Sequence, residues 1–365
     1  MANDYQNQDL YWALRGGGGG TFGVVVSVTL KTFPDPPVIA QSTNITFPDV
    51  SSLWNFSTAY LSILPQVADD AGVSYYYFDP YGRMYGNGLP LFIGIHYFFN
   101  QTNVTAINAI FEPLYGLAHT LGVDTIANST TALPLARFVF PTAGSDTTGA
   151  NIVIGARLFS RTLVEEPGGS ARLISALQNI SQGYPSVIMG YQVAGGQVAL
   201  NAGLVNSSLN PSWRQALGQN VVHVDWSDQA SFSEQQQLQT YLTDVMMPQL
   251  AAVEPNMGAY TNEANANEPD WQSVFWGSNY PGLLQVKNTW DPAGLFRCNR
   301  CVGSERWDAT GNCPANATNS AATPTTSNGA HSTSGAIQER QPIGLLTSVA
   351  IMLFCWVILS PPYVL

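Results

Sequence analysis

The spacing of apolar residues along this 365-residue chain changes period from segment to segment, and each change marks an element. Leu10 to Arg15 is amphipathic and Asp9 before it is a good N-cap, so a short helix is expected there. Val24-Val-Val-Ser-Val-Thr-Leu-Lys-Thr-Phe33 is rich in β-branched residues and reads as a strand. Pro34-Asp-Pro-Pro37 then breaks the backbone and marks a boundary. Val38 to Phe47 reads as a strand and Ser51 to Leu64 as a helix. The apolar runs Val73-Ser-Tyr-Tyr-Tyr-Phe78 and Leu91-Phe-Ile-Gly-Ile-His-Tyr-Phe-Phe99, bounded by Gly, Pro and Asn, suit strands at the centre of a sheet. Val104 to Tyr115 and Gly169 to Ile180 have helical spacing. Val187 to Val198 reads as a glycine-interrupted strand, and Val221 to Trp226 as a short one. Glu234 to Val253 predicts one long helix with Leu238, Tyr241, Leu242, Val245 and Met246 on a stripe. Strands and helices do not alternate as βαβ units. The expected class is therefore α+β, with a mixed or antiparallel sheet flanked by helices.

Between the first helix and the first strand stand five glycines, Gly16 to Gly20. Without a Cβ, such a run takes positive φ angles and brings bare backbone against a ligand. Successive N–H groups in that geometry form a concave anion site suited to a pyrophosphate. Gly18, Gly20 and Gly23 satisfy G-x-G-x-x-G, but that pattern needs a strand before it and a helix after it. Here the order is reversed, which excludes a nicotinamide-type dinucleotide fold. A flexible linker is disfavoured too, because the run is clamped between apolar elements and carries no serine padding.

Composition narrows the partners. Charged residues are 10% and aromatics 11%, enough apolar material for a large core. A net charge of −11 with no basic patch argues against nucleic acid or anionic lipid as a partner. Eight Asn-x-Ser/Thr sequons, at Asn44, Asn55, Asn100, Asn103, Asn128, Asn179, Asn206 and Asn316, point to passage through the secretory pathway, hence to an extracellular or cell-surface location. The opening residues Met1 to Asp9 are polar and acidic, with no leader pattern. From Ala309 to Pro342 the chain turns to Ser, Thr, Asn, Gly and Ala, which cannot bury enough apolar surface to fold. The uncharged stretch Ile343 to Leu359 follows. It is open to three readings: a glycolipid-anchor signal, a short membrane span, or an artefact of gene prediction. Cys298-x-x-Cys301 and Cys313 lack a fourth zinc ligand, and the histidines His96, His119, His223 and His331 show no ligand spacing, so no metal site is expected. A disulfide from Cys313 to Cys298 or Cys301 is expected instead. His223 and Asp225 share a strand face opposite Val222 and Val224 and read as a solvated face. Trp12, Trp271 and Trp276 fit helical stripes and read as core.

The stretch Asp9-Leu-Tyr-Trp-Ala-Leu-Arg-Gly-Gly-Gly-Gly-Gly-Thr-Phe-Gly23 with the strand after it resembles the end of the FAD-binding domain in berberine-bridge-enzyme-like oxidases, within the vanillyl-alcohol-oxidase flavoproteins of PCMH type. Residues 259–296, from Ala259-Tyr-Thr-Asn-Glu263 to Asn288-Thr-Trp-Asp-Pro-Ala-Gly-Leu-Phe296, are similar to that family's C-terminal module, especially in its fungal members. The resemblance implies FAD as cofactor, contacted by Gly17, Gly18, Gly19, Gly20, Thr21, Phe22, Gly23, Val24 and Asn262. Relatives carry Tyr-x-Asn-Tyr where this chain has Tyr260-Thr-Asn262-Glu263, so a carboxylate stands at the position of a tyrosine base. Glu263 and Tyr260 are accordingly the catalytic candidates, the alternative for Glu263 being a cap or pair at a turn. The His and Cys that tether FAD in relatives, and the domain that holds most of its ADP moiety, have no counterpart here, so an N-terminally truncated member is expected.

The resulting organisation is residues 1–35 as the remnant of an FAD-binding domain, 36–255 as a substrate domain, and 256–308 as the berberine-bridge-like module. A linker follows over 309–342, then the apolar tail over 343–360. The implied activity is oxidation of alcohol or hemiacetal groups on a carbohydrate or secondary metabolite, with a small-molecule substrate and oxygen as partners, by a monomer attached to a membrane through its tail or a lipid anchor. The competing function is a non-catalytic surface glycoprotein that has lost FAD.

Overall fold

The runs read as central strands owe their apolarity to burial on both faces, and the computed structural model of residues 1–134, 150–308 and 313–315 shows what buries them. Strands β1 (Pro37–Thr46), β2 (Gly72–Asp79), β3 (Leu91–Phe99), β4 (Ala127–Pro134), β5 (Ile152–Ser160), β6 (Ile188–Gln192) and β7 (Ala216–Asp225) form one sheet in the order β4-β1-β3-β2-β6-β7-β5. Each neighbouring pair is antiparallel. Helices α1 (Gln8–Leu14), α2 (Val50–Asp69), α3 (Val104–Thr120), α4 (Arg161–Glu165), α5 (Gly169–Gly183), α6 (Gly196–Leu200), α7 (Phe232–Tyr241), α8 (Met247–Ala251), α9 (Trp271–Trp276) and α10 (Tyr280–Trp290) complete the α+β architecture.

The register sends alternate side chains to opposite sides. Ile39, Ile45, Tyr76, Phe78, Phe92 and Phe98 enter the main core with α2, α3 and α5. Val38, Tyr75, Tyr97, Ala156, Tyr191 and Val221 lie on the opposite face. A polar chain is buried in the main core: Tyr60 Oη lies 2.9 Å from His96 Nε2, and His96 Nδ1 lies 2.6 Å from Gln41 Oε1. The Asp49 side chain caps α2 by accepting the Ser52 N–H at 2.9 Å. A second core joins the two ends of the described chain: Ala13 and Phe22 pack with Trp271, Phe275, Trp276, Tyr280, Leu283 and Val302. Trp271 and Trp276 are core, and Trp12 is packed against it.

Several expectations are corrected. Val24 to Phe33 forms no strand and has no ladder partner among the described residues; Val24, Val26 and Val28 are 77%, 92% and 66% exposed. β-propensity describes a side chain that fits a pleat, and it does not supply a neighbour. The long helix expected over Glu234 to Val253 is present as a continuous run from Phe232 to Ala251, but a π-turn at Leu242–Met246 is inserted between α7 and α8. The strand expected over Val187 to Val198 stops at Gln192, before Gly195 at φ 76°. β7 begins five residues earlier than Val221, and β4 and β5 are unpredicted additions. His223 is buried, not solvated. Cys298 pairs with Cys301, their Cα atoms 5.3 Å apart, which is within disulfide reach, and Cys313 is a free, exposed thiol. Among the described residues no helix is long and apolar enough to cross a membrane. The tail over 343–360, Asn316, and the linker apart from residues 313–315 lie outside the described residues.

Candidate active site

Glu263 sits on a loop held by a turn of its own and by contacts to three other parts of the chain. Its own N–H closes a turn on the Tyr260 carbonyl at 3.0 Å. Further along, Asn265 bonds Thr243 of the π-turn at 3.0 Å, and the buried Glu268 pairs with Arg157 of β5 at 2.8 Å. On the outer side the Ala266 carbonyl accepts from Asn299 Nδ2 at 3.1 Å and Arg300 Nε at 3.3 Å, both inside the Cys298–Cys301 loop. Thus fixed, the Glu263 carboxyl meets the side-chain amide of Gln219, which donates from Nε2.

Gln219 projects from β7 beside Tyr191 of β6 and Leu158 of β5, on the sheet face that also carries Tyr75 and Val221. Its Oε1 is buried without a hydrogen-bond partner. Burial pushes Glu263 up to about 7, and the Gln219 bond works in the opposite sense without cancelling it. A carboxyl poised there exchanges a proton near neutral pH, as a general base must. Tyr260 places its ring edge-on to Trp213 at 6.0 Å and accepts at Oη from Asn262 Nδ2 at 2.5 Å. Tyr260, Asn262 and Glu263 therefore share one turn, with Asn262 exposed.

The glycine run divides into two parts. A Cβ at Gly16 would stand 2.2 Å from Leu209 N, and one at Gly17 would stand 2.5 Å from Leu283 Cδ2, so the Ser208–Leu209 backbone leaves no side chain room at the first and the second core leaves none at the next. Gly18 has φ 97°, and its carbonyl accepts from Thr21 N at 3.2 Å. Gly18, Gly19 and Gly20 are exposed, and nothing lies within 4 Å of a Cβ built at Gly19, Gly20 or Gly23. Thr21 and Phe22 are buried, while Val24 is exposed. Open, side-chain-free backbone at a fixed turn fits the pyrophosphate of a dinucleotide. No hydrogen bond or ion pair joins Glu263 to residues 17–24 among the described residues; what they share is anchorage to the module that begins at Ala259.

Gln219, Trp213, Arg157 and Lys287 were not singled out from the sequence. For Gln219 the signal was present, since Gln219, Val221 and His223 alternate on one face, but the expected strand began only at Val221.

Comparison with known proteins places this arrangement. The fold is that of the VAO-type flavoproteins. The chain superposes on MtVAO713 of Myceliophthora thermophila C1 with a TM-score of 0.74 and 24% identity, covering 84% of this chain and 55% of that one. For MtVAO615 of the same organism the TM-score is 0.72 and the identity 27%, over 85% of this chain and 56% of that one. Residues 259–303 match the family described as "Berberine and berberine like". An uncharacterized FAD-linked oxidoreductase of Arthroderma benhamiae is 44% identical over 321 residues, 86% of this chain and 54% of the relative. Over the part it shares with them, this chain is similar to the berberine-bridge-enzyme-like FAD-linked oxidoreductases of fungal type. It spans about half the length of the curated relatives it matches.

Proposed function

We propose that this chain forms the substrate-facing part of an FAD-dependent oxidoreductase that converts an alcohol or hemiacetal on a carbohydrate or secondary metabolite to the corresponding carbonyl compound or lactone, with oxygen as final acceptor. The observation that carries the reading is Glu263, held by Gln219 against the tyrosine-rich sheet face with its proton affinity raised to about 7. When bound, FAD supplies the acceptor for the hydride that leaves the substrate carbon. The chain's own residues do the rest. The Glu263 carboxylate accepts the hydroxyl proton of the substrate, the Gln219 amide fixes the carboxylate's direction, and Tyr260 and Trp213 wall the approach. The backbone of Gly18 to Gly20 and Gly23 would hold the pyrophosphate, with Gly17, Thr21 and Phe22 keeping that turn in place and Val24 continuing from it. Asn262 would contact the flavin.

Purified protein supplemented with FAD tests this. Retained flavin absorbance after desalting, bleached anaerobically by a substrate drawn from a panel of oligosaccharides and phenolic alcohols, is the expected result. Protein that stays colourless at saturating FAD overturns it.

Passage through the secretory pathway is part of the same proposal. Asn55, Asn100, Asn103, Asn128, Asn179 and Asn206 are exposed, as N-glycan acceptors must be. A gain in electrophoretic mobility after enzymatic removal of N-glycans is expected from protein made in a fungal host.

A further inference from the structure

Lys287 is 1% exposed, an unusual position for a cation unless every donor is satisfied. Its ammonium has three N–H groups, and three acceptors surround it. These are the Thr21 carbonyl at 2.6 Å, Asp291 Oδ2 at 2.5 Å, and the Phe296 carbonyl. Asp291 in turn accepts the Leu295 and Phe296 N–H groups at 2.8 and 2.9 Å. One buried hub thus fastens helix α10 and the loop after it to residue 21, the far end of the glycine turn. The near end is fastened separately, where Trp276 Nε1 donates to the Gly16 carbonyl at 3.2 Å. Gly18, Gly19 and Gly20 lie exposed between the two ties.

We propose that Lys287 is a positioning residue for the cofactor, holding the glycine turn in the shape that presents its backbone to a pyrophosphate; this rests on the reading that the chain binds FAD. Fixing one residue's backbone costs about 1–2 kcal/mol, and most for glycine. If the turn were free, that cost would be charged to every binding event. Closing it from both ends places the cost in folding, so the ligand meets a preorganised turn. The role is distinct from charge pairing with Asp291, because Thr21 is held through its backbone carbonyl, which no other described side chain reaches.

Hydrogen exchange of the flavin-free wild-type protein gives the first test. The Gly17 and Thr21 amides, which donate to the Ala13 and Gly18 carbonyls, should exchange markedly more slowly than those of the exposed segment 24–30, and equal rates would overturn the proposal. Two variants give the second. Lys287→Met leaves the Asp291 carboxylate buried and unpaired. Lys287→Met combined with Asp291→Asn removes that charge and should recover most of the thermal stability. The proposal requires that both variants exchange the Gly17 and Thr21 amides faster and bind FAD at least about ten-fold more weakly, by quenching of flavin fluorescence. Recovery of FAD affinity together with stability in the double variant would reduce Lys287 to a charge partner and overturn the proposal. A wild-type protein that binds no FAD would overturn the functional reading instead, while the exchange data would still decide whether Lys287 orders the turn.

Discussion

Glu263 and His96 are both titratable groups under the sheet's influence, and burial moves their charge changes in opposite directions. For Glu263, burial raises the folded value from 4.5 to about 7. Its contribution to stability is complete below 4.5 and is lost as pH rises through about 7. In the proposed mechanism the base is the ionised form, so kcat/KM should climb as pH passes about 7, and Glu263→Gln should abolish that limb and lower kcat by about 10²–10⁴-fold. A pH–rate profile of both proteins checks this, and an unchanged limb in the variant would remove Glu263 from the mechanism. For His96, burial lowers the folded value from 6.5 to about 3. The imidazole is neutral in the core, and its contribution is complete above 6.5 and lost as pH falls from there toward 3. Tyr60→Phe would leave His96 Nε2 without its partner, at an expected cost of about 1–3 kcal/mol in a denaturant titration.

At the scale of elements, the inner strands were legible and the outer ones were not. β2 and β3 are buried on both faces, so Ser74-Tyr-Tyr-Tyr-Phe78 and Leu91-Phe-Ile93 announce themselves as apolar runs. β4 is an edge strand of sequence Ala-Asn-Ser-Thr-Thr-Ala-Leu-Pro, with no apolar alternation to read. Val24 to Phe33 errs the other way, having strand composition and no partner among the described residues. The site shows the same division. The glycine run and Tyr260-Thr-Asn262-Glu263 are local motifs and could be read directly. Gln219 and Lys287 gain their meaning from partners 44 and 266 positions away, which no local pattern encodes. Register also creates a sharp constraint at Gly190, where a Cβ would stand 1.9 Å from Cζ of the fully buried Tyr76. Gly190→Ala should therefore destabilise the sheet by about 1–3 kcal/mol, read as a lower denaturant midpoint.

Across the whole molecule, one ion pair joins the sheet to the C-terminal module. Arg157 and Glu268 have side chains 8% and 4% exposed, and Glu268 Oε2 has no further partner. Arg157→Met would leave that carboxylate buried and unpaired, costing about 3–5 kcal/mol, and pairing it with Glu268→Leu should return most of the loss. Equal stability in the single and double variants would show that the pair does not act as a unit. Because Glu268 closes the loop that carries Glu263, the single variant should also lose turnover under conditions where it remains folded.

The hub at Lys287 has a consequence for the order in which the molecule is built. A ribosome adding about 5–20 residues per second would take roughly 13–53 s to travel from Thr21 to Lys287. Through that interval the sheet can acquire all its strands, because every one of them precedes residue 226. The glycine turn cannot be completed until its distant partners emerge, since contacts of such long range wait on chain closure. The glycine turn is therefore among the last parts of the described fold to form, and on the proposed reading FAD could be captured only after Lys287 has been synthesised.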